Sequence, residues 1–160
     1  MPAPLSTDQV WQTIDKRSFG TLSWVTPRGE ARNAGIVYTV RRRRLFIGTG
    51  NDSWKAKHIR LNGSVALNIN IPKRIPFMPW VAIPDATIAF HGTAALTDGV
   101  NADNEVIQAL LRGMSNQSEL RKTLTVITVE PKGHFVTYGV GVPLLDMRDP
   151  EKAGGRVSVA

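Results

Sequence analysis

Apolar positions along this chain recur mostly at every second residue, in short runs broken by turn residues. Ser64–Ile71, SVALNINI, is the clearest case, with Val65, Leu67, Ile69 and Ile71 on one side. The same reading predicts strands over Thr21–Thr26, Arg32–Val40, Leu45–Gly48, Thr87–Leu96 and Leu124–Glu130, with Phe135–Val142 as a further one. Pro27-Arg28-Gly29-Glu30 closes the first hairpin, and Pro131-Lys132-Gly133 reads as a late turn. Arg41–Arg44 sits between two strands and is expected to form the next hairpin turn. Helical spacing is confined to three places. Ser6–Arg17 carries Val10, Trp11 and Ile14 on one face and is stopped by Phe19-Gly20. Lys55–Leu61 ends on the C-cap signal Asn62-Gly63. Asn101–Arg112 groups Val106, Ile107, Leu110 and Leu111.

Strands therefore dominate, and they do not alternate strictly with helices as a doubly wound parallel sheet requires. A mainly β fold follows: a six- to seven-stranded antiparallel barrel with peripheral helices. It fills one domain over residues 1–147, and the polar, glycine-containing residues 148–160 form a loose or docked tail. Gly92 marks a bulge or a close approach within its strand. Pro72–Pro84 breaks the pattern. Its four prolines exclude a central strand, and its Phe77, Met78 and Trp80 need a cover from the core, a ligand or a second subunit.

Composition narrows the function. With 160 residues and 42% hydrophobic content, the chain can bury a real core. No cysteine is present, which removes disulfides, thiolate metal sites and cysteine catalysis. The N-terminus lacks a basic flank before an apolar run, and no stretch of about 18 apolar residues exists, so a cytoplasmic protein without a membrane span is expected. The net charge of +7 is concentrated: residues 41–74 hold nine Lys/Arg against one acid, Asp52. Such a segment suits a phosphorylated small molecule, an acidic surface or nucleic acid. Nucleic acid fits less well, because only Phe46 and Trp54 could stack bases there.

Within that segment, Phe46–Lys57, FIGTGNDSWKAK, runs from a strand end through a glycine-flanked loop into a helix. Thr49 and Ser53 bring hydroxyls, and Lys55 and Lys57 bring charge, which suits a phosphate. The glycine spacing fails both the dinucleotide fingerprint and the Walker loop. His58, His91 and His134 share no ligand spacing, so no metal site is expected, although His58 could contact an anion beside Lys57. No nucleophile–base arrangement stands out, and the catalytic residues stay unassigned. An anion site without acid–base machinery points to a phosphorylated redox cofactor that carries the chemistry itself.

The order of these pieces is specific in combination: PRGE, ARNAGIVYTV, LFIGTG, NDSWKAKHIRLNGSVALNI, then IAFHGTAALTD before a helix. Over Val10–Pro131 the chain resembles the flavin-binding split-barrel proteins related to pyridoxamine 5′-phosphate oxidase and their deazaflavin (F420)-using relatives. The resemblance implies an FMN-binding split barrel acting as an oxidoreductase, with F420 as the alternative cofactor. It implies a homodimer with the cofactor at the interface and a small-molecule substrate. Lys55 and Lys57 match the basic pair that grips the phosphate, with Ser53 as the preceding hydroxyl. Arg32, Asn33, Gly35, Ile36 and Val37 match the strand along the ring edge, and Thr49 matches the polar position ending the third strand. Trp80 in the proline-rich flap is the candidate for a contribution from the partner chain. Trp54 stands where the oxidase proper has an arginine, and its C-terminal Arg-x-His element has no match, so pyridoxamine phosphate is not the expected substrate. A non-catalytic flavin, F420 or haem binding or storage protein is the alternative reading.

Overall fold

The computed structural model describes residues 4–160. The chain opens with α1 (Thr7–Asp15), started by a capping box in which Ser6 Oγ accepts from the Gln9 N–H and Gln9 Oε1 accepts from the Ser6 N–H. Val10, Trp11 and Ile14 are buried as their spacing predicts. Phe19-Gly20 does not stop the helix. Those residues already belong to β1 (Phe19–Val25), which pairs with β2 (Ala31–Arg41) around a turn closed by Gly29 at φ +78°. The buried Tyr38 hydroxyl donates to the Ile14 carbonyl at 2.6 Å and ties α1 to β2. Its burial pushes the phenol pKa upward.

β2 turns into β3 (Arg44–Gly50) through Arg42 and Arg43, both at positive φ. This two-residue turn matches the strand twist but usually carries Asn or Gly, so arginines here cost backbone energy. Its neighbours are neutralised locally. Arg41 meets Glu105 at 2.9 Å, Arg43 meets Asp8, and Arg44 lies 3.9 Å from Glu130. Much of the arginine run is therefore a hairpin surface already paired with acids.

α2 (Trp54–Leu61) follows, then β4 (Ser64–Ile71), the proline-rich loop and β5 (Ala86–Asp98). Asn62-Gly63 is not a left-handed cap, since Asn62 is extended. Gly63 is needed for space: a Cβ there would lie 2.6 Å from the Ala94 carbonyl oxygen. Where a single late helix is expected over residues 101–112, the chain forms a 3₁₀ turn at Gly99–Asn101 and then α3 (Asn104–Leu110), and a further helix, α4 (Gln117–Lys122), follows beyond that range. Asp103 restarts the helix by capping the Glu105 N–H at 2.8 Å, and Gly113 at φ +81° breaks it again.

β6 (Leu124–Tyr138) corrects a further expectation. Pro131-Lys132-Gly133 is not a turn but lies inside one 15-residue strand. Pro131 faces Gly92 and Lys132 faces His91. The register then shifts, and Val136 faces Ala89, with Gly133 at φ +72°. The missing proline N–H and the left-handed glycine are absorbed by a bulge. Gly92 makes it possible, because a Cβ there would sit 2.3 Å from the Glu130 carbonyl oxygen. Gly92→Ala is expected to cost about 1–3 kcal/mol and to lower the melting temperature by at least about 3 °C in calorimetry. An unchanged transition would mean that the strands do not approach this closely.

The C-terminal segment docks. α5 (Pro150–Ala153) leads into β7 (Gly154–Ser158), which pairs with β6 over His134–Tyr138. All ladders are antiparallel. β1, β2, β3, β6, β5 and β4 close a six-stranded barrel, and β7 extends its edge. Alternate residues from the strands fill one core, with Leu22, Ile47, Ile69, Ile88, Ile127 and Phe135 fully enclosed. No described helix is long and apolar enough to cross a membrane.

Candidate functional site

The loop from β3 into α2 is held from several sides. Ser53 caps α2 by accepting the Ala56 N–H at 3.2 Å, and the Thr49 hydroxyl donates to Ser53 Oγ at 2.9 Å. The Ser53 N–H returns to the Gly50 carbonyl, and Asn51 accepts from the Thr125 hydroxyl at the start of β6 and donates to the Lys122 carbonyl at the end of α4. α2 buries Ala56 and Ile59. That anchors one face of the helix and leaves Trp54 and Lys57 exposed, with Lys55 and His58 half-buried.

Opposite this helix stands the turn end of the β1–β2 hairpin. Together they enclose a groove of about 600 Å³, lined by Trp24, Thr26, Pro27, Arg28, Glu30, Arg32, Asn33, Trp54 and His58. Aromatic faces and Pro27 supply an apolar wall, and Arg28 and Arg32 supply positive charge. Arg32 shares a 2.5 Å ion pair with Glu30, half-exposed on both sides. The Lys57 ammonium lies 4.8 Å from the Trp54 ring centroid, a cation–π contact. The His58 ring stands 5.6 Å from that of Trp54, and the Trp24 indole N–H donates to His58 Nδ1 at 3.0 Å.

The residues singled out from sequence divide into groups. Arg32 and Asn33 line the groove. Lys55 and Lys57 lie on α2 beside it, with Lys57 placed over Trp54. Thr49 and Ser53 bond to each other and hold the loop. Gly35 and Val37 face outward from β2, whereas Ile36 points into the core. Trp80 belongs to the exposed loop at the far end of β4, away from the groove lining. Sequence reasoning did not assign Trp24, Thr26, Arg28 or Glu30 to the site. Only the PRGE turn hinted at them, and nothing local says that this turn meets α2.

A second, shallower recess of about 360 Å³ opens on the outer face of the sheet. Ser23, Ala66, Asn68, Ala89 and Val136 line it with His91 and His134. The two histidines, 43 residues apart in sequence, line one recess beside the bulge in the β5–β6 pairing. A Cβ on Gly133 would lie 3.3 Å from His91 Cε1, so the glycine leaves room for that ring. Among the described residues, no three His, Asp or Glu side chains gather as a metal site.

No protein-family model and no curated protein matches the chain. Solved structures do. A haem-binding protein from Mycobacterium smegmatis superposes with a TM-score of 0.70 at 11% identity, over 99% of this chain and 60% of that one. An F420 reductase gives 0.56 at 16% identity, over 78% and 94%. A Listeria innocua protein named for pyridoxamine 5′-phosphate oxidase gives 0.56 at 15%, over 78% and 92%. The fold is the split barrel of the pyridoxamine 5′-phosphate oxidase-like proteins. At these identities the likeness concerns the fold.

Proposed function

We propose that this split barrel binds a flavin-type mononucleotide cofactor, FMN or alternatively F420, and acts as an oxidoreductase on a small-molecule substrate. The observation that carries the reading is the groove itself. It combines a cationic rim, two indole rings and the N-terminal turn of α2 in one open cavity. Arg32, Lys55 and Lys57 would hold the phosphate. Asn33, Gly35 and Val37, outward-facing on β2, would run along the ring, and the cofactor when bound would supply the redox chemistry. The protein's own part is to bind, to orient and to exclude water.

The same reading includes a homodimer. Phe19, Val37 and Val136 are exposed apolar residues on the outer sheet face. The proline-rich loop leaves β4 after Ile71, about 20 Å along the strand from Val65, which lies beside Trp24 at the groove end. Arg148 Nη2 donates to the Ala82 carbonyl at 2.7 Å and ties the loop to that far end. Trp80, 75% exposed, would then contact a second copy packed outer face to outer face. The shared recess of His91 and His134 favours haem binding as a second reading, since it supplies imidazoles on an otherwise weakly polar face.

An absorbance spectrum of the purified protein, with FMN and F420 titrations followed by fluorescence, tests both. Micromolar binding of FMN or F420 supports the first reading. A Soret band on adding haem, abolished by replacing His91 and His134, supports the second. Failure to bind FMN or F420 removes the first. Light scattering with and without cofactor measures the dimer.

A further inference from the structure

His58 is held in an unusual way for a residue on a surface helix. The indole nitrogen of Trp24 can only donate a hydrogen bond, so His58 Nδ1 must be the acceptor and carry no proton. The ring proton is therefore on Nε2. Trp24 is almost entirely buried and is fixed between Arg32 on β2 and Val65 on β4, so the donor does not wander. The ring of Trp54, one helical turn earlier, braces the imidazole from another side. His58 still lines the groove with Arg28 and Arg32. With Nδ1 engaged by the barrel, the nitrogen left for a ligand is a donor.

We propose that His58 is a ligand-binding residue of this groove: Trp24 fixes its Nε2–H tautomer, and that N–H donates to a phosphoryl oxygen of the bound cofactor. The proposal rests on the flavin-type reading for the identity of the ligand, but not for the tautomer. A buried indole used as a tautomer lock makes sense where a donor is wanted. A plain staple between helix and barrel would need no polar pair, because Ile59 already packs α2 against the core.

Long-range proton–nitrogen NMR of the ligand-free protein should show the Nε2–H pattern for His58, and Trp24→Phe should convert it to a mixture of tautomers. FMN and F420 titrations should show roughly ten- to hundred-fold weaker binding for His58→Phe, the range expected when a hydrogen bond to a charged group is lost. His58→Gln, which retains a side-chain N–H, should recover part of the affinity. Titration of the wild type with inorganic phosphate should move the His58 Nε2 resonance, and this arm does not depend on any variant folding. An Nδ1–H tautomer, an unmoved resonance, or wild-type cofactor affinity in a folded His58→Phe would each overturn the proposal. If the wild type binds neither FMN nor F420, the flavin reading fails, and the tautomer and phosphate arms still decide the role of His58.

Discussion

The double variant Arg32→Ala/Lys55→Ala is expected to lose cofactor binding altogether while melting like the wild type. A hydrogen bond to a charged group contributes about 1.5–3 kcal/mol, so each removal weakens binding by roughly ten- to a hundred-fold. Losing both moves a micromolar affinity to about 0.1–10 mM, beyond ready detection over most of that range. Stability should hold, because Arg32 is half-exposed in a surface ion pair with Glu30, and such pairs contribute little. Calorimetric titration with FMN and F420, beside thermal melts, reads both quantities. Lys57→Ala serves as the comparison. Its ammonium is shared between the Trp54 ring and the phosphate, so its loss should weaken binding by about ten-fold, the low end of that range. A double variant that binds normally would place the phosphate outside the groove.

Phe135→Ala is expected to have the largest effect on stability. Phe135 is fully enclosed, and its ring meets Trp11 at 5.4 Å and Phe90 at 5.3 Å, both edge to face. It thereby links α1, β5 and β6 just past the bulge. Truncating a buried phenylalanine costs about 3–5 kcal/mol, a large part of the 5–15 kcal/mol that a domain of this kind usually has. A fall of roughly 10–15 °C in melting temperature follows. Its neighbour Val136 points the other way, to the outer face. Val136→Ala should leave an isolated copy nearly unchanged, within about 0.5 kcal/mol. Equal effects of the two substitutions would contradict the facing of β6.

Much of the barrel is legible in the chain because its strands obey a two-residue period that needs no partner to be read. Ser64–Ile71 is a strand with the bounds its alternation predicts. The cap at Ser53 and the cations after it are equally local, so one wall of the groove is visible in FIGTGNDSWKAK. Pro131 and Gly133 mislead for the opposite reason. By local rules they are turn residues, and they stay in a strand only because Gly92 on the neighbouring strand lets the Glu130 carbonyl approach. Gly154–Ser158 has little strand character of its own and becomes β7 by pairing with the open edge of β6.

The sequence by itself determined the succession of strands along the chain up to β5 with its first two hairpins, the hydroxyl-bearing loop beside two lysines, and the proline-rich loop after β4. Tertiary structure alone decided what stands opposite that loop. Trp24 bonds to His58, and Arg28 shares its groove, only because β1 pairs with both β2 and β4 while α2 packs against β1 and β5. Contacts between residues some thirty positions apart follow from barrel closure, and no local period encodes them.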